Sequence, residues 1–212
     1  MSESSYLSAE AIAARSAQLL ERIAVAFAGV TLGRGVSIQD ADAYEDPDWP
    51  SYDKRAKRLG GKEYMRQYED WTSLDLRNQG ISHSTYYPFL SPESYRYYIP
   101  FFLTCWLEAG LPNFPRESQT PWDQLDERLY WFVLGWSHET KRGERHGQEQ
   151  LSCLSDEQMR CHAEFFALCL ESGVMPGEYG AEEWPMVMKY WGPHLDAEHF
   201  DQAVRHAASM IE

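Results

Sequence analysis

Residues Phe89 to Leu111, FLSPESYRYYIPFFLTCWLEAGL, constrain the fold more than any other stretch of the chain. Ser91 is a good helix cap, Pro92 falls at the first helical position, and Glu93 sets a negative charge beside the positive helix end. Tyr95, Tyr98, Ile99, Phe102 and Trp106 recur at helical spacing, and Leu103 and Leu107 widen that face. A helix this apolar buries more than one side and belongs at the centre of a core. Gly110 and Pro112 stop it. Pro100 lies inside it and has no N–H for the carbonyl of Arg96, so the pattern predicts a kink in a buried central helix.

The segments around it supply helices to pack there. Ser8 caps an expected helix from Ala9 to Ala28, with Ile12, Leu19, Leu20, Ile23 and Phe27 on one stripe and alanines along its flanks. Gly29, Gly33 and Gly35 end it, and the glycine-rich turn lacks the lysine and hydroxyl pattern of a phosphate-cradling loop. Tyr64, Tyr68 and Trp71 suggest a short helix over Lys62 to Trp71. Thr120-Pro121 opens another helix, although residues 129–136 could also form a strand. Ser155 to Gln158 is a capping box for a helix running through Leu170, with Gly173 beyond it, and a last helix is expected over Asp196 to Ile211. The chain reads as mainly α, a single compact helical domain over residues 1–212. A small accessory β element has room near residues 80–89 or 129–136.

Charge and cysteine use narrow the function classes. The 212 residues carry a net charge of -14, and aromatics make up 14% of them. Residues 151–212 hold eleven carboxylates against three basic side chains. Such a surface repels nucleic acid and anionic membranes and suits a basic protein partner. The four cysteines, Cys105, Cys153, Cys161 and Cys169, have no C-x-x-C spacing, which fits buried thiols in a reducing, cytoplasmic setting. No apolar run approaches the roughly 20 residues that a membrane-spanning helix needs.

Catalytic chemistry finds no foothold. His138, Glu139 and His146 do not make an H-E-x-x-H pair. Cys161 and Cys169 are two helical turns apart, about 12 Å of rise, too far for one zinc ion, so His162 and its neighbouring thiols read as core. Asp196 and His199 have a spacing that could share a metal, but a solvent-facing helix explains them as well. No nucleophile elbow is present. The expectation is therefore no catalytic residue, no metal site and no cofactor.

Two stretches, YEDWTSLDLRNQGISHSTYYPFLSPESYRYYIPFFL and LSDEQMRCHAEFFALCLE, together resemble an uncharacterised family of small bacterial proteins, a domain of unknown function. Trp71, Phe89, Leu90, Ser91, Pro92, Glu93, Arg96, Tyr98 and Pro100 carry the first block, and Leu154, Ser155 and Gln158 the second. The resemblance covers residues 64–171 and leaves 174–212 as an acidic C-terminal extension packed on that core. It implies a bacterial, cytoplasmic, α-rich fold and transfers no catalytic residue.

The functional expectation is a non-enzymatic acidic binding protein, most concretely an immunity or antitoxin-like protein that occludes a basic toxin or effector. Glu178, Glu182, Glu183, Trp184, Asp196 and Glu198 form the expected contact surface. One alternative is a small-ligand-binding protein or metal-dependent enzyme with a pocket beside the central helix, with Glu93, Arg96 and Tyr97 near its mouth. Another is a scaffold or regulatory subunit.

Overall fold

The computed structural model describes residues 6–35, 37, 67–74, 91–109, 151–172 and 191–196. Three α-helices organise them: α1 (Ala9–Ala26), α2 (Pro92–Ala109) and α3 (Asp156–Glu171). Two short 3₁₀ turns, Trp71–Ser73 and Gly192–His194, pack against α2 and α3 respectively. Among the described residues there is no strand, only an isolated antiparallel bridge between Thr31 and Asp70. The fold is mainly α, as the hydrophobic spacing requires. Residues 80–89 and 129–136, where a β element had room, lie outside the described residues.

Local chemistry sets the helix starts. Ser8 accepts the N–H of Ala11 at 3.2 Å and opens α1. Ser91 does the same for Ser94 at 3.3 Å at the head of α2. At α3 the capping box is complete: the hydroxyl of Ser155 accepts from the Gln158 N–H, and the Gln158 side chain accepts from the Ser155 N–H. The expected end of α1 at Ala28 moves back to Ala26. Phe27 closes the last turn by donating to Ile23, and Gly29 takes a left-handed φ of 69° that reverses the chain.

The helix expected over Lys62 to Trp71 does not reach Trp71. Residues 67–70 form a turn and then the bridge to Thr31, because the Trp71 N–H donates to Val30 and the Gly33 N–H to Gln67. The Trp71 N–H and the Gln67 carbonyl would both serve an intrahelical ladder if the segment were helical. Asp70 instead caps the 3₁₀ turn, accepting the Thr72 N–H at 3.0 Å.

Helices α1 and α3 run antiparallel. The N–H of Leu7, just before α1, donates to the Glu171 carbonyl at the far end of α3, and the Gln158 side chain at the head of α3 donates to the Ala26 carbonyl. Helix α2 lies against α1 and meets α3 through aromatic pairs, among them Trp106 edge-on to Phe165. The core among the three holds Ile12, Leu19, Ile23 and Phe27 from α1, nearly all of α2 from Tyr95 to Leu107, and Phe165, Phe166 and Leu168 from α3. Helix α2 is thus buried around most of its circumference, as its sequence predicts. It is helical through Pro100, which is itself buried, and the missing N–H opposite Arg96 is the physical ground for the kink expected there. The chain before α2 closes on it at Gly35, where a Cβ would meet the Ser94 hydroxyl at 2.7 Å and the Leu32 carbonyl at 2.9 Å.

Candidate functional site

Two arrangements of polar groups stand out. The first is a ladder of charges between α1 and α3. Arg15 and Arg22 are seven residues apart, and so are Glu157, Glu164 and Glu171. Seven residues is close to two helical turns, so each set lies along one face. In the antiparallel pairing Arg15 meets Glu171, and Arg22 binds both Glu164 and Glu157, the latter at 2.6 Å. Arg160 adds a 3.0 Å bond to Glu157 from within α3.

Burial opposes the charge on Arg22, but hydrogen bonds and attraction from Glu164 and Glu157 outweigh it and hold the guanidinium above its ordinary pKa. Glu171 is only 2% exposed, and its second carboxylate oxygen has no hydrogen-bond partner. This pair therefore carries a desolvation cost that only Arg15 offsets. The seven-residue spacing on both helices was legible in the sequence as a matched charge pattern, although composition alone draws attention to the surplus of acid instead.

The second arrangement surrounds His162 on α3. Its imidazole is completely buried and shares a 2.7 Å hydrogen bond through Nε2 with the Tyr95 hydroxyl of α2. Trp191 lies flush on the ring, 4.6 Å between centroids and 7° between planes, and Phe166 and Tyr95 stack at 5.8 Å. The other ring nitrogen, Nδ1, is buried without a hydrogen-bond partner. Burial alone lowers its pKa to about 3, so the ring is neutral at ordinary pH. A neutral ring enclosed by aromatic side chains can hold a core together. Among the described residues it has no charged neighbour to make it a general base, and the ring is fully buried.

Burial likewise pushes the Cys161 thiol up to about 12, which makes it a poor nucleophile. Cys105 and Cys169 are buried as well, and Cys153 is half-buried. Among the described residues, no three His, Cys, Asp or Glu side chains gather where one cation could reach them. No helix among them is long and apolar enough to cross a membrane.

The residues singled out beside the central helix do not share one environment. Glu93 is exposed, Tyr97 is fully buried, and Arg96 is half-buried with its Nε enclosed and without a hydrogen-bond partner. Of the acidic contact residues, Asp196 is exposed, whereas Glu178, Glu182, Glu183, Trp184 and Glu198 lie outside the described residues. His199 and His206 lie outside them too.

A model of the family of unknown function DUF6714 matches residues 15–195. The chain belongs to that family. The DUF6714 match begins at Arg15 of the charge ladder and ends at Leu195, just past the tryptophan that covers His162. It therefore takes in both arrangements, and it is wider than the stretch 64–171 in which the sequence resemblance lies. No curated protein and no solved structure matches the chain.

The sequence marks Trp71 but not what it touches. Its indole N–H donates to the Phe27 carbonyl at 2.8 Å and so caps the end of α1 from a distant part of the chain. No local pattern marks such a contact. Trp191 was equally hidden: the sequence shows an aromatic segment there but not which ring it covers.

Proposed function

We propose that this DUF6714 protein is a non-enzymatic acidic binding protein whose carboxylate surface occludes a basic protein partner. The most concrete form of that reading is an immunity or antitoxin-like role toward a toxin or effector in the cytoplasm. One observation carries it. The described residues include five arginines, no lysine and eleven carboxylates. Three of those arginines, Arg15, Arg22 and Arg160, are bound to the chain's own glutamates. Among the described residues, most of the positive charge is thus met by the chain's own glutamates, while Glu10, Glu21, Glu93, Asp156 and Asp196 face outward. A field of one sign speeds encounter with an oppositely charged protein and discourages acidic ones.

The test is titration of the purified chain with the product of the adjacent gene, and with other basic proteins, at low and at raised salt. Binding that weakens as salt rises supports the reading. If neither that protein nor another basic one binds at low salt, the reading fails.

A second reading, a small anionic ligand held beside α2, draws support from Arg96. Its guanidinium offers donors only, and its Nε is enclosed without a partner. Phosphate or a small carboxylate that raises the melting temperature of the wild type but not of Arg96→Ala would favour this reading. No shift with either anion would remove it.

A further inference from the structure

The geometry points to the His162–Trp191 stack as an acid-sensitive latch: protonation of the imidazole releases the segment around the 3₁₀ turn Gly192–His194 from the three-helix core. This inference does not depend on the partner proposed above.

Trp191 is fully buried and lies face to face with His162, and it also meets Phe166 at 5.6 Å and His194 at 6.2 Å. Trp191 is itself helical and leads straight into the 3₁₀ turn, after which the chain is extended at Leu195. Among the described residues, the indole on the imidazole is the tightest ring stack between this turn and α3.

Among the described residues, the groups around that imidazole give a proton nowhere to go. From α2 comes the Tyr95 hydroxyl, on Nε2. From α3 itself comes Phe166, and from the docked segment Trp191. His194 is the other titratable group nearby, and it touches the far side of Trp191. Of the carboxylates of α3, Glu157, Glu164 and Glu171 are turned to Arg22 and Arg15 on α1, and Asp156 is exposed at its first position. Nδ1 has no acceptor. An imidazolium here would be buried without a counter-ion, a large cost that uncovering the ring removes.

The sign follows from linkage. Docked His162 has a lowered pKa, so it binds fewer protons than undocked His162, whose value is near the ordinary 6.5. Docking is therefore fully favourable above about pH 6.5 and weakens as pH falls, by up to about tenfold per unit. Between neutral pH and pH 5 the docking constant falls by roughly twenty- to thirtyfold.

Amide hydrogen exchange on the full chain tests this. Protection of the Leu195 N–H, which donates to the Gly192 carbonyl at 2.9 Å, is compared at pH 5, 6 and 7.5 with that of Ile23 in α1, after correction for intrinsic rates. The expected result is a loss at Leu195 of roughly tenfold per unit below pH 6.5 while Ile23 keeps its protection. The same loss is expected to be absent in His162→Gln, which retains a hydrogen-bonding group for Tyr95 but cannot take a proton in this range. Equal behaviour of Leu195 and Ile23, or the same pH dependence in His162→Gln, overturns the latch.

Should His162→Gln fail to fold, Trp191→Ala provides the second arm through the His162 imidazole NMR signals. Uncovering one face should let the ring titrate closer to 6.5 than in the wild type. An unchanged titration overturns the latch equally.

Discussion

Gln158 holds two structures together, and Gln158→Glu separates them. Its side-chain oxygen accepts the Ser155 N–H at 3.0 Å, completing the capping box of α3, and its Nε2 donates to the Ala26 carbonyl at 2.9 Å at the end of α1. Glutamate serves the capping box as well as glutamine does, so the start of α3 should survive. What changes is the contact with α1: a donor becomes a second acceptor, and a carboxylate faces a carbonyl oxygen at a side chain that is only 1% exposed. The lost hydrogen bond costs about 1 kcal/mol net, and desolvating groups that can no longer pair adds about 1–3 kcal/mol. The sum, roughly 2–4 kcal/mol, is a large part of the total stability of an ordinary domain.

Urea denaturation at pH 7 should show a lower midpoint with an unchanged slope. The sign of the pH dependence is fixed too. A protonated glutamic acid can again donate to Ala26, so its folded pKa lies above the unfolded value near about 4.3. The deficit relative to wild type should be full above that folded pKa and shrink as pH falls through it. A variant as stable as wild type at pH 7, or a deficit that does not depend on pH, would refute the idea that Gln158 ties the two helices together.

Arg15→Ala should destabilise the fold by roughly 3 kcal/mol, because it leaves Glu171 buried and unpaired, and Arg15→Ala with Glu171→Gln should recover part of that loss in the same urea assay. A surface pair would give under about 1 kcal/mol and no recovery. Thiol labelling of the native chain should modify Cys153 first, with Cys105, Cys161 and Cys169 reacting only after unfolding, as mass spectrometry of the labelled peptides can show. Rapid native labelling of Cys161 would contradict the depth at which α3 is buried.

The parts of this fold that could be read from the sequence are those whose cause is local. Ser8, Ser91 and Ser155 announce the three helix starts because capping is a contact between residues two or three apart. The apolar stripe of α2 announces its burial for the same reason. Trp71 shows where such reading stops: its spacing from Tyr64 and Tyr68 is helical, but the bridge between Asp70 and Thr31 and the bond to Phe27 come from a segment some forty residues earlier. His162 is a case between the two. Its place among core residues was evident from its neighbours, whereas the ring that covers it comes from Trp191, which no periodicity connects to α3. The charge ladder was legible in its seven-residue spacing but not in its pairing, since only the antiparallel packing of α1 on α3 brings Arg22 between Glu157 and Glu164.

The proposal that the acidic surface binds a basic protein is tested most directly by titrating the purified chain with the adjacent gene's product over a range of salt concentrations, alongside Asp196→Lys with Glu198→Lys. The expected result is a complex whose Kd rises steeply with salt and rises further in the charge-reversed variant. Absence of binding at low salt, or a complex indifferent to both salt and charge reversal, would contradict it.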